Sequence, residues 1–230
     1  TVTYLYSSII DAGIHQAPSI KIAEASKVTE NIQRDVNIAL INELHQMYTL
    51  LGIDTNEVIE AASTKWNFMK LKPGLVGGHC ISIDPYYLMH KSKMSGYSPD
   101  LMIRARQINE GMGEWAVSNF LKYIKKHNID IHSTNITFLG YTFKENCGDT
   151  RNTKVRDLIF SVKNLGASVS LWDPLLDNSE LDKLESEGIT IYRTIPSDIK
   201  FAFLCVPHNE ILEFLNIYNG PLFDYKKIEY

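Results

Sequence analysis

Between Ile20 and Leu51 the chain runs for about 30 residues without a glycine or a proline, and this stretch limits the possible folds more than any other. Apolar residues recur there at steps of three and four: Ile22, Ala25, Val28, Ile32, Val36, Ala39, Leu40, Leu44, Met47 and Leu51. That spacing keeps one face apolar along the whole length, so it predicts a single helix stopped at Gly52. A helix this long exceeds what a small globular domain needs, and points to a domain connector or a subunit interface.

Shorter helical patterns surround it. Val2, Leu5, Tyr6, Ile9 and Ile10 ahead of Gly13 read as a short helix stopped by that glycine. Asp54 and Glu57 suit the start of a helix over 56–62, and Asp84-Pro85 that of one reaching Met94. Ser98-Pro99-Asp100 starts another, running through Leu101, Ile108, Met112, Trp115, Phe120 and Ile124 to Lys125-Lys126-His127, where cations suit the helix dipole. From Asn135 the pattern changes. Strand-like runs at 136–139, 168–172, 190–192 and 201–206 alternate with helical stretches at 154–165 and 179–187, which implies a parallel sheet. The predicted fold class is α + α/β. Residues 1–132 form an all-helical central domain around the long connector helix, and residues 133–230 a doubly wound, Rossmann-like parallel α/β domain. No Gly-x-Gly-x-x-Gly occurs, so this domain lacks the dinucleotide fingerprint, and no clear helix closes the chain before Tyr230.

A net charge of -4 offers no basic excess, which argues against nucleic acid or an anionic membrane as the main partner. No apolar run reaches the roughly 20 residues needed to span a bilayer. The first residues, Thr1-Val2-Thr3-Tyr4, lack a signal-peptide layout, so a cytoplasmic location is predicted. Three cysteines at unequal spacing fit neither a disulfide framework nor a zinc site, and no metal site is predicted. Cys205 lies in an apolar run and reads as core; Cys147 reads as an unreactive loop thiol.

Chemistry concentrates in Gly77-Gly78-His79-Cys80, followed by Asp84-Pro85. Glycines let a backbone approach a ligand closely, and a thiol near a helix start is a candidate nucleophile. The alternative is a structural thiol beside a helix cap. His79 could serve as a base in a Cys-His hydrolase, although sequence neighbours rarely face each other. Lys27 and Asn31, at i and i+4, share a helix face and point either into a site or to solvent. Lys144 and Arg151 flank the loop after the first strand, where open parallel sheets bind ligands, and they suit phosphate or carboxylate.

Taken in order, Ala23-Glu24-Ala25-Ser26-Lys27 with Asn31, then Gly77-Gly78-His79-Cys80 with Asp84-Pro85, then Phe143-Lys144-Glu145-Asn146-Cys147-Gly148-Asp149-Thr150-Arg151-Asn152-Thr153 closely resemble the UDP-glucose/GDP-mannose dehydrogenase family. The Gly-Gly-His-Cys form and the Lys-Glu-Asn-Cys loop look most like its bacterial branch, which oxidises UDP-N-acetylhexosamines to uronic acids for surface polysaccharide precursors. The resemblance implies a twofold, NAD-dependent oxidation at C6 through a cysteine-linked thiohemiacetal and thioester. It implies Cys80 as nucleophile, Lys27 as stabiliser of the oxyanion with Asn31 beside it, and Asp84 as a group that helps activate or place water. Lys144, Gly77 and Gly78 would bind the substrate, and Arg151 would reach NAD. It further implies a homodimer through the central helix and an NAD-binding domain outside these residues, which alone would be inactive. One departure is Gly148-Asp149-Thr150, where the closest branch carries proline and leucine. A non-catalytic sugar-nucleotide-binding or dimerisation module is the alternative, which the set Lys27, Asn31, Cys80 and Asp84 disfavours.

Overall fold

The computed structural model of the chain describes residues 2–227. Helix α1 (Val2–Ser7) ends well short of Gly13 and buries no residue, so nothing extends it to the glycine that was expected to stop it. Helix α2 (Ile20–Leu51) has the predicted bounds. Ser19 caps it by accepting the Ile22 N–H, and Gly52 ends it at φ 69°, a left-handed conformation that glycine adopts without strain. At about 1.5 Å per residue, its 32 residues extend about 48 Å. Asp54 caps α3 (Thr55–Ala62), accepting the N–H groups of Asn56 at 2.7 Å and Glu57 at 3.4 Å. A stretch without regular structure leads to α4 (Asp84–Met94), entered through Pro85, and then to α5 (Asp100–Lys126).

Helices α2 and α5 lie side by side, and the centre of their interface is polar. Arg106 donates to Asp35 at 2.6 Å, with side chains only 3% and 2% exposed. Asn109 also donates to Asp35, and Asn42 donates to Asn109, each at 2.8 Å. The Asn42 amide then clamps the backbone of Gly74, donating to its carbonyl at 3.0 Å and accepting its N–H at 2.8 Å. On the other side Arg106 holds Glu110, and Lys154 closes on Glu110 at 2.5 Å. Burial raises the Asp35 carboxyl above its ordinary range against the pull of Arg106. Burial acts the same way on Glu110, but Lys154 and Arg106 outweigh it and hold that carboxyl low.

The second half of the chain alternates as expected: β1 (Asn135–Leu139), α6 (Val155–Asn164), β2 (Ser168–Trp172), α7 (Asn178–Ser186), β3 (Thr190–Tyr192), β4 (Phe201–Leu204), α8 (Asn209–Leu215) and β5 (Leu222–Asp224). The sheet runs β3-β2-β1-β4-β5 with every pair parallel. Its order reverses between β1 and β4, where Ile136 pairs with Phe201 and Phe138 with Phe203. The central strands are apolar because both faces are covered. Ile136, Phe138, Phe203 and Phe223 pack with α5 and α6, while Leu139, Trp172 and Leu204 pack with α8. Helix α8 and strand β5 extend the expected alternation into the tail, and Tyr230 itself lies outside the described residues.

Helix α5 belongs to both halves. Its N-terminal part holds Asp35 through Arg106, whereas the Phe120 ring sits 5.6, 5.2 and 5.5 Å from Phe201, Phe203 and Phe223. The chain boundary expected at 132–133 is therefore crossed by the packing of the α/β core.

Candidate active site

The glycine pair comes first, because it sets where Cys80 can be. Gly78 has φ 82°, and its N–H donates to the Arg151 carbonyl at 3.1 Å. Its own carbonyl accepts Ser82 Oγ at 2.6 Å and Asn152 Nδ2 at 3.0 Å. A Cβ on Gly77 would fall 2.8 Å from the Asn152 carbonyl oxygen and 3.0 Å from Phe143 Cβ. Both glycines thus permit the close seating of the thiol loop on the α/β domain. They hold Cys80 at the seam between the two halves.

Cys80 is exposed, and its carbonyl accepts the N–H groups of Ile83 at 3.1 Å and Asp84 at 2.8 Å, so thiol and carboxylate stand one turn apart. Asp84 opens α4 and accepts Asn31 Nδ2 at 2.5 Å. Asn31 is buried and in turn accepts Lys27 Nζ at 3.3 Å, while Lys27 pairs with Glu30 at 3.0 Å. Lys27, Asn31 and Asp84 are therefore linked in series from α2 to the Cys80 turn. His79 is exposed and makes no hydrogen bond among the described residues, in keeping with neighbours that do not face each other.

Arg151 lies on the other side of the thiol loop. Its Nε and Nη2 grip Asp149 at 3.0 and 2.5 Å, and this pushes the Asp149 carboxyl down to about 2. Asp149 raises the guanidinium in return. Cys205 is fully buried in the core, where desolvation drives its thiol far up, out of any reactive range.

Beside the thiol loop, a cleft of about 400 Å³ opens over the carboxyl ends of β1, β4 and β5, at the reversal of strand order. One wall is helical-domain backbone at Pro73, Gly74 and Gly77; the other carries Phe143 and Lys144. Lys144 is 5.5 Å from the Phe143 ring centroid and has no ion pair among the described residues. Sequence reading missed three further cations that line this cleft, Lys72, Lys226 and Lys154, the last of them already paired with Glu110. Lys226 follows β5, and the rule that ligands gather at carboxyl ends of parallel strands would have flagged it had β5 been recognised. Also missed were Asp173 and His208, buried behind the loop after β1.

Among the described residues, no group of three or more His, Cys, Asp or Glu side chains is arranged to hold a metal ion, and no helix is long and apolar enough to cross a membrane.

Comparison with known proteins matches two family models. Residues 21–111 match the central domain of the UDP-glucose/GDP-mannose dehydrogenase family, and residues 137–228 match its UDP binding domain. Protein CapL of Staphylococcus aureus is 43% identical over 99% of this chain and 55% of its own length. UDP-N-acetyl-D-glucosamine 6-dehydrogenase of Pseudomonas aeruginosa is 48% identical over 91% of this chain and 49% of its own. Among solved structures, the UDP-D-ManNAc dehydrogenase of Pyrococcus horikoshii superposes with a TM-score of 0.77 at 28% identity, covering 97% of this chain and 52% of that one. The chain thus spans about half the length of these relatives.

Proposed function

This chain belongs to the UDP-glucose/GDP-mannose dehydrogenase family, and on that premise we propose that it is the nucleophile-bearing, substrate-binding part of an NAD-dependent UDP-N-acetylhexosamine 6-dehydrogenase. One observation carries the reading. Lys27 and Asn31, one turn apart on α2, are joined by hydrogen bonds to Asp84, 53 positions beyond Asn31, and the series ends one turn from Cys80.

In this proposal the UDP moiety lies in the cleft, with Lys144, Lys72 and Lys226 facing its diphosphate and C6 of the sugar directed toward Cys80. NAD supplies the hydride acceptor for each of the two oxidations. Toward it the chain offers Arg151, whose Nη1 has no hydrogen-bond partner among the described residues; the sheet has no glycine-rich turn to cradle a pyrophosphate. The remaining cofactor contacts are assigned to the part of the family's chain that these residues do not span, so these residues alone would transfer no hydride.

After the first oxidation, the Cys80 sulfur adds to the C6 aldehyde, and the new oxyanion is met by the Lys27 ammonium and the Asn31 amide. The second oxidation leaves a thioester on Cys80. Asp84 takes a proton from the water that attacks the thioester carbon, the C–S bond breaks, and the thiol and the uronate carboxylate are released. Asn31 serves twice, since the amide near the oxyanion also orients Asp84.

The test is replacement of Cys80 by Ala in the full-length enzyme, with NADH production followed on a UDP-N-acetylhexosamine. Loss of uronate formation is expected, and unchanged turnover to uronate would remove the nucleophile from this reading. Calorimetry with UDP-N-acetylglucosamine, its galacto and manno epimers and UDP-glucose identifies the sugar.

A further inference from the structure

Behind the loop that follows β1 lies a buried polar cluster that the chemistry above leaves unused. Asp173 follows β2, His208 precedes α8, and both side chains are 0% exposed. His208 Nδ1 accepts the Asn146 N–H at 2.9 Å, so the hydrogen-bond pattern puts the ring proton on Nε2, 3.1 Å from both Asp173 Oδ2 and Thr142 Oγ1. Asp173 Oδ2 also accepts the N–H groups of Tyr141 at 2.6 Å and Thr142 at 3.2 Å, and Oδ1 accepts that of Leu175 at 2.8 Å. Thr142 Oγ1 donates onward to the Lys144 carbonyl at 2.9 Å. Asn146 and Asn209 close the far side, Nδ2 to Oδ1 at 3.1 Å and backbone N–H to Oδ1 at 3.0 Å. The backbone at 141, 142 and 146 is thereby anchored to side chains from the ends of two other strands, and the Lys144 carbonyl to the Thr142 hydroxyl that His208 holds.

A loop that had only to turn could do so with backbone hydrogen bonds. Burying a carboxylate and an imidazole costs desolvation energy, which a fully connected network offsets by fixing one conformation. Burial alone would raise the Asp173 carboxyl, but His208 and the backbone donors outweigh it, so the buried group stays an anion able to accept all of them.

We infer that Asp173 and His208 are positioning residues for Lys144: they fix loop 141–146 so that its ammonium meets an anionic group of the nucleotide sugar in the cleft. This rests on the reading of the cleft as the UDP-sugar site.

The experiment is calorimetric titration of the 230-residue chain with UDP, comparing the unsubstituted chain with Lys144→Ala, His208→Ala and the double variant. A charged hydrogen bond lost from the complex weakens binding by about tenfold or more, so each single variant should bind at least about tenfold more weakly. The double variant should then be within about twofold of Lys144→Ala, because His208 acts only through Lys144. A merely structural role would instead add its own loss to that of Lys144. His208→Gln, which keeps one acceptor and one donor, should restore binding to within about threefold. If His208→Ala does not fold, Thr142→Val carries the test, since it removes the hydroxyl linking His208 to Lys144 at nearly constant shape; the same non-additivity with Lys144→Ala is expected. Additive losses, or undiminished binding by His208→Ala, overturn the inference while leaving the cleft assignment intact. No UDP binding by the unsubstituted chain overturns both.

Discussion

Replacing Arg106 by Met tests whether the polar seam between α2 and α5 is held by charge. The guanidinium donates to Asp35 at 2.6 Å, and the Asp35 side chain is 2% exposed. Without it Asp35 keeps only the Asn109 amide at 2.8 Å, whereas Glu110 keeps Lys154 at 2.5 Å and is little affected. The cost is therefore that of one buried, uncompensated carboxylate, about 3–5 kcal/mol, or a fall in Tm of about 6–20 °C for a chain of this size. The sign of its pH dependence follows. Burial already raises the Asp35 carboxyl in the folded state, and removal of Arg106 raises it further. At low pH the group is protonated whether folded or unfolded, and no charge is buried. As pH climbs from the unfolded value of about 3.9 through the raised folded value, the unfolded state gives up its proton first and stability is lost. Urea unfolding followed by circular dichroism should show Arg106→Met weaker than the unsubstituted protein by more at pH 7.5 than at pH 5. Arg106→Met with Asp35→Leu should recover most of the loss, because it removes both charges. A deficit under about 1 kcal/mol, or one that is the same at both pH values, would refute the reasoning.

His45 links α2 to Thr55 at 2.7 Å and to the Tyr225 carbonyl at 2.8 Å, and burial lowers its pKa. A base with a depressed folded pKa contributes its full stability above the unfolded value of about 6.5 and loses it as pH falls below that. The Tm should drop between pH 7.5 and pH 5, and drop less in His45→Gln; equal slopes would rule His45 out. The homodimer that the family resemblance implies would use α2, where Leu40, Met47 and Leu51 are 53%, 44% and 63% exposed at steps of seven and four, hence on one face. Sedimentation should show a dimer that Leu40→Glu with Leu51→Glu converts to monomer, and a monomeric unsubstituted chain would dismiss this role for the helix.

What was legible in the sequence follows the range of the physics involved. Helix α2 could be read to the residue because its apolar period is long and Gly52 must take a left-handed φ. Strands β1 and β2 could be read because strands covered on both faces are rich in apolar residues, Ile136, Phe138 and Leu139 in one and Val169, Leu171 and Trp172 in the other. Helix α8, at seven residues, is too short to show a period, and β5 offers only Leu222 and Phe223 before Asp224. At the site, the pairing of Lys27 with Asn31 follows from helix spacing alone, but the 2.5 Å bond from Asn31 to Asp84 joins residues 53 positions apart. Asp173 and His208 were missed for a related reason. A polar residue after a strand reads as a solvated turn, and only the fold shows that the turn is roofed over.

The sharing of α5 between the two halves has a consequence for how this protein can be cut. A piece begun at residue 133 would keep the whole sheet but leave Phe201, Phe203 and Phe223 without the Phe120 ring that covers them. A piece ended at 132 would carry that ring into water. Neither half inherits a finished surface, so the smallest autonomous α/β piece has to begin upstream of Ala116, inside a helix that also serves the other half.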